Sequence, residues 1–243
     1  MYGRFEPPRG EIEIRDLATF RFETGRGQVT AYAVAASAEE DVVHAFHTTV
    51  LPLIAWACEG AEAFHASAVR RPRGVVALAG PSESGKSTLA FGLAVRGYER
   101  FAEDAVAFRV AEEIRAIPLP FTTNLREASA KHFAGSAHLL PPSDEVREAG
   151  GPEPPFEALI LLDPRSSGAT VVTRLGAPEA LLALLPNAYR FKNQPAARER
   201  SMLEAYLALA SQVPVLRLSY PQDFGRFDDV LDHLVESVEA LGS

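Results

Sequence analysis

The 243-residue sequence predicts an α/β protein built on a mixed sheet flanked by helices. Three observations predict it. Short apolar, β-rich runs recur along the chain, among them "GVVALAG" (Gly74 to Gly80) and "ALILLD" (Ala158 to Asp163). Segments with helical apolar spacing, such as "KSTLAFGLAVRG" and "FDDVLDHLVESVEALG", alternate with them. The early strands, their turns and one long polar loop favour a mixed sheet over a purely parallel one.

Taken in order, "EIEIRDLATFRFET" and "QVTAYAVAA" alternate as two strands, with Gly25 to Gly27 as their turn. A helix from about Glu39 to Gly60 follows, bent near Pro52. "FHASAV" and "VVALAG" read as strands joined by the "RRPRG" turn. After the next helix, "ERFAEDAVAFRV" reads as one strand carrying Glu103 and Asp104 midway. Short strands around "IRAIPLPFTTNLR" and a helix-like "EASAKHFAG" come next. Leu139 to Glu157, rich in proline, glycine and acid, reads as an exposed loop. "ALILLD" and "ATVVTRLG" read as strands, "APEALLALLPNAY" and "ARERSMLEAYLALASQ" as helices, "VPVLRLSY" as a strand, and the chain closes on a helix.

With 47% hydrophobic and 23% charged residues, the chain is expected to form a single domain. Residues 1–62 form its β-rich N-terminal part and helix, and 63–243 its core. The net charge of −8 argues against broad binding to nucleic acid or anionic membranes. The apolar segment Val42 to Phe64 is interrupted by His44, His47, Pro52, Glu59 and Glu62, which argues against a membrane span. His44 and His47 stand three apart on that helix, but no further metal-binding residues accompany them. The single cysteine, Cys58, lies in an apolar stretch and is expected in the core. Its isolation excludes an internal disulfide and fits a cytoplasmic setting. No signal peptide is visible, and a homo-oligomer is left open.

"GPSESGKST", Gly80 to Thr88, fits G-x-x-x-x-G-K-[ST] between a strand and a helix. Gly80 and Gly85 permit backbone conformations that a Cβ obstructs. After Pro81, which has no N–H, the loop N–H groups of Ser82, Glu83 and Ser84 can then turn towards phosphate oxygens at the helix N-terminus. Lys86 reaches the β- and γ-phosphates of a nucleoside triphosphate, and Ser87 offers a hydroxyl to Mg²⁺. Phosphoryl transfer also needs carboxylates. One candidate is the Glu103–Asp104 pair, costly to bury in an apolar run without a partner. The other is Asp163, placed as a Walker B aspartate, although "DPRSSG" reads more readily as a turn in which Asp163 bonds its own backbone. Arg126 and Arg190 stand in polar breaks and suit contacts to phosphate. Asn187, Tyr189, Arg190 and Lys192 form a polar cluster suited to an acidic substrate or leader peptide.

The stretch from Phe64 to Phe108 resembles the catalytic domain of bacterial HPr kinase/phosphorylase. It is most similar to the smaller HPr-kinase-related proteins encoded beside peptide-modification genes, including those of lasso-peptide clusters. His65, the glycine loop, Arg96–Gly97 and the paired acids carry the resemblance. It implies a fold of the HPr kinase / phosphoenolpyruvate carboxykinase type, with a largely antiparallel mixed sheet. It also implies an ATP- and Mg²⁺-dependent kinase acting on a serine of a peptide or protein. In that family the acids are Asp-Asp, the first acting as base and both near the metal. Here Glu103 takes the first place, and His65 matches the active-site histidine. The sequence leaves little room for the bifunctional enzymes' separate N-terminal domain, and their phosphorylase-associated glycine-rich signature is not found after the acids, so a kinase is expected rather than a kinase/phosphorylase. A nucleotide-binding regulator and a kinase of a small hydroxylated metabolite remain compatible with the same residues.

Overall fold

The structure, a computed structural model, describes residues 2–6, 8–122, 125–139, 151–165, 167–190 and 195–241. The chain opens with an antiparallel meander: β1 (Tyr2–Glu6), β2 (Arg9–Ile14), β3 (Ala18–Glu23) and β4 (Val29–Ala33). One face is apolar at period two, burying Ile12, Ala18, Phe20 and Phe22. The expected single strand from Glu11 to Thr24 is two strands, because Asp16 takes a left-handed φ of 60° and turns the chain. β1 was not anticipated.

A helical segment covers this face. It runs through α1 (Glu39–Ala45), a π-helical turn (Phe46–Val50) and α2 (Leu51–Glu59). The irregular turn sits just before Pro52, which lacks the N–H a regular ladder needs. Val42, Val50, Leu53 and Ile54 pack into the sheet, while Glu39, Glu40, Asp41 and His44 are exposed. Gly60, at φ 67°, ends the helix by donating to Ala55 and Trp56. Among the described residues, Glu39–Glu59 is the helix long and apolar enough to cross a membrane, at mean hydropathy 1.2. Cys58 was expected in the core but is exposed, because it falls on the outer side of the last turn.

β5 (Glu62–Phe64), β6 (Ala66–Arg71) and β7 (Gly74–Ala79) follow, then α3 (Lys86–Val95), β8 (Glu99–Ala102), β9 (Val106–Arg109), β10 (Arg115–Ile117) and α4 (Glu127–His132). The remainder is β11 (Phe156–Arg165), β12 (Val171–Arg174), α5 (Ala177–Leu184), α6 (Ala196–Gln212), β13 (Val215–Pro221) and α7 (Phe227–Ala240). The central sheet has the order β12-β13-β11-β7-β6-β8. β13, β11 and β7 run parallel, and the other pairings are antiparallel. Side-chain alternation sorts the core into two layers. Val75, Ala77 and Ala79 face α5 and α6 through Leu184, Met202 and Tyr206. Val76 and Leu78 face α3 and α7 through Leu89, Phe91 and Leu231. The protein is thus a mixed α/β fold with a mixed sheet flanked by helices.

Three further expectations are corrected. "ERFAEDAVAFRV" is not one strand: β8 pairs with β6, whereas β9 joins β5 and β10 in a separate three-stranded sheet. The break falls on Glu103 and Asp104. Asp104 has φ 61°, and Ala105 N–H donates to the Glu103 carbonyl at 2.7 Å, the three-residue hydrogen bond of a γ-turn. "DPRSSG" does not begin a turn at Asp163, since β11 pairs with β13 as far as Arg165. The loop expected from Leu139 to Glu157 ends earlier: Pro154 and Pro155 carbonyls accept from Ala116 and Val75. Residues 140–150 lie outside the described residues.

A buried ion pair joins α6 to β5. Arg198 on α6 donates twice to Glu62 on β5, at 2.6 and 2.6 Å, and its guanidinium lies 4.3 Å over the Trp56 ring. Removing one partner strands a buried charge. Arg198→Ala is therefore expected to lower stability by about 3–5 kcal/mol in urea unfolding; an unchanged unfolding midpoint would contradict this packing.

Candidate active site

The loop between β7 and α3 is crowded at its two glycines. A Cβ on Gly80 would lie 3.0 Å from the Leu162 carbonyl and from Ser84 Oγ. Gly85, at φ 85°, passes so close to Tyr220 that a Cβ would meet its hydroxyl at 2.9 Å. The same hydroxyl donates to the Ser84 carbonyl, and Gln222 Nε2 donates to the Glu83 carbonyl at 2.5 Å. The C-terminal end of β13 thereby straps the loop from outside. Lys86 Nζ turns back to the Gly80 and Pro81 carbonyls at 3.1 and 3.0 Å. Burial holds its ammonium below the usual lysine range, with Arg126 acting the same way and Asp104 and Glu103 opposing. Arg126 binds Glu83 at 2.5 Å, and Thr88 shares a hydrogen bond with Ser129 at 2.8 Å.

The two neighbouring acids point apart. Glu103 is buried and ion-paired with Arg100. It accepts from Ser67 Oγ at 2.8 Å and is hydrogen-bonded to Ser87. Burial nevertheless pushes its carboxyl above the usual range, against Arg100, Ser87 and Ser67. It lines neither of the cavities beside the loop. The roles expected for Glu103 as base and metal ligand do not fit this placement: its carboxylate is engaged beneath the loop. Asp104 instead faces both cavities. Its backbone carbonyl accepts from the Tyr189 hydroxyl at 3.0 Å, and the His65 ring hydrogen-bonds to its backbone. These contacts hold a conformation that non-glycine residues adopt at some cost.

The cavities meet at His44, His65, Ser82 and Asp104. One, of about 680 Å³, is lined by Gly85 to Leu89, Arg126, Ser129 and residues Tyr220 to Phe224. The other, of about 1070 Å³, is lined by Gly80, Pro81, Thr48, Thr49, Leu161 to Arg165, Asn187, Tyr189 and Arg217. Asp163 thus stands on the second cavity's wall, two residues beyond the β11–β7 pairing. It accepts from Ser219 at 2.8 Å and Arg165 at 3.0 Å. Burial raises its carboxyl, but these partners and Arg217 outweigh that and hold it below the usual range. Of the two arginines expected at phosphate, Arg126 lines the first cavity, whereas Arg190 is exposed and lines neither. Lys192 lies outside the described residues, as do Thr123 and Asn124.

Several placements had no local signal. Tyr189, legible as part of a polar cluster, reaches Asp104 from 85 positions away, and His44, legible with His47 on a helix packed on the core, reaches the point where the two cavities meet. Tyr220 was legible only as the end of an apolar strand, and Gln222 had no reading. Among the described residues, no group of three His, Cys, Asp or Glu side chains is arranged to hold a metal ion.

No protein-family profile matches the chain, and no curated protein matches it. Among solved structures, the chain is similar to the HPr(Ser) kinase/phosphatase from Coxiella burnetii. The two are 14% identical with a TM-score of 0.35, over 73% of this chain and 88% of that one. Likeness at that level carries no argument about activity.

His65 offers a direct test of the site's electrostatics. Burial and then Lys86 hold its ring below the usual value of 6.5, against Asp104. The unfolded chain therefore binds more protons in that window, so stability falls as pH drops from 6.5 through the folded-state value. NMR titration should show His65 ionising below 6.5, and His65→Gln should remove that part of the acid-induced stability loss. A ring that titrates at or above 6.5 would contradict the geometry.

Proposed function

We propose that the protein is an ATP- and Mg²⁺-dependent phosphotransferase that moves the γ-phosphate to a hydroxyl, a serine of a peptide or protein. The observation that carries this reading is the convergence of two cavities on Asp104 and His65 beside Lys86. A nucleotide bound along Gly80 to Thr88 fills the smaller cavity, and an acceptor enters the larger one. Lys86 exchanges the Gly80 and Pro81 carbonyls for phosphate oxygens. Arg126 adds a second cation on the same side.

Asp104 takes the proton of the acceptor hydroxyl. The acceptor oxygen then bonds to phosphorus while the bond to the bridging β–γ oxygen breaks, and ADP leaves. His65, neutral at pH 7, and Tyr189 keep Asp104 in place. The residues fit Mg²⁺, because the Ser87 hydroxyl and the Asp104 carboxylate are hard oxygen donors beside the loop. Bound there, Mg²⁺ would supply charge neutralisation of the phosphate oxygens. Glu103 acts through Ser87: by accepting the hydroxyl proton it leaves the Ser87 lone pairs for a cation. A polar wall of Thr48, Thr49, Asn187 and Arg217 suits a peptide main chain with its own donors and acceptors. A cytoplasmic location goes with the use of ATP.

The test is incubation with γ-labelled ATP and serine-containing peptides, starting with those encoded beside the gene. Label should move to serine, with the mass gain of one phosphate. EDTA should stop transfer, Mg²⁺ or Mn²⁺ should restore it, and Lys86→Ala should abolish it with the fold intact. Nucleotide binding without transfer to any hydroxyl would select a regulator instead, and transfer in the Lys86→Ala protein would contradict the site.

A further inference from the structure

We infer that Phe224 is the platform on which the base of the bound nucleotide stacks, in the cavity that Lys86 also lines. The inference rests on the phosphotransferase reading above for the triphosphate end alone. Phe224 is a large aromatic ring left 41% exposed, and it lines the same cavity as Lys86, Ser87 and Thr88. One of its neighbours is the His132 ring, stacked at 4.6 Å and 24°. His132 is itself set edge-on against Phe227 at 5.2 Å and Phe133 at 4.8 Å. An exposed ring backed by a rigid aromatic cluster presents a flat apolar surface that water solvates poorly and a planar base covers well.

The segment that leads to the ring is tied to the loop. Tyr220 and Gln222, four and two residues before it, bond to the Ser84 and Glu83 carbonyls. Asp223 caps the short turn of Phe224 by accepting from Gly225 N–H at 2.9 Å. The ring is therefore held at a set distance from the triphosphate site. Its stacking favours a purine over a pyrimidine, because the larger ring system covers more of it.

Binding of ATP, CTP and inorganic tripolyphosphate, each with Mg²⁺, is measured by calorimetry on the full chain. Phe224→Ala should weaken ATP roughly 5- to 100-fold, the usual worth of one base–aromatic stack. It should erase the preference for ATP over CTP and leave tripolyphosphate within about two-fold. Phe224→Tyr should restore ATP binding. Phe224→Ala protein that binds ATP like the wild type, or that loses ATP and tripolyphosphate equally, would overturn the inference. A Lys86→Ala protein that holds tripolyphosphate as the wild type does would overturn the phosphate-loop reading instead.

Discussion

A single buried carboxylate, Glu103, ties the parts of the site together. It joins Ser67 on β6, Ser87 at the start of α3 and Arg100 on β8. An isolated charge in that position would cost several kcal/mol. The partners offset that cost, and each belongs to a different element. The ion pair therefore sets how the loop, the antiparallel edge of the sheet and the following turn sit relative to one another. It also explains why the next residue is free for other work. The γ-turn reverses the chain at Asp104, so one acid enters the core while its neighbour faces the cavities.

The strained turn is held from elements distant in the chain. Tyr189 donates from the segment after α5 and also contacts the Thr48 carbonyl at 2.5 Å. That segment is itself pinned, since His65 N–H donates to the Asn187 carbonyl at 2.7 Å and Tyr189 N–H to that of Ala63 at 2.9 Å. The helix from Glu39, the β5–β6 junction and the end of α5 thus meet around one backbone carbonyl. Positioning of this kind leaves Asp104 little freedom to turn away from the cavities.

Much of the architecture was legible in the sequence because its causes are local. The continuous apolar run in "GVVALAG" follows from burial of both faces of a strand, and period 3.6 in the closing helix from burial of one. The spacing of Gly80, Gly85, Lys86 and Ser87 likewise encodes a loop conformation directly. The break at Glu103–Asp104 was not legible, because "ERFAEDAVAFRV" has the composition of one continuous strand. Only the pairing of its halves with different sheets splits it. The roles of the two acids turned on that break, and family likeness alone assigned them in the other order. Cys58 shows the same limit: an apolar neighbourhood does not say which side of the last helical turn meets water. Asp163 reads as the start of a turn in "DPRSSG", yet β13 continues the pairing beside it.

The most direct test of the site separates the two acids by single-turnover transfer from bound ATP to a serine peptide, with nucleotide affinity measured in parallel. Asp104→Asn is expected to slow transfer by roughly 10²- to 10⁴-fold, the range for loss of a general base, while nucleotide affinity stays within a few-fold. Glu103→Gln is expected to raise the Mg²⁺ concentration needed and to reduce stability, with the chemical step at saturating Mg²⁺ much less affected. The opposite pattern, with Asp104→Asn active and Glu103→Gln unable to transfer at any Mg²⁺ concentration, would contradict the assignment of Asp104 as the residue that receives the proton.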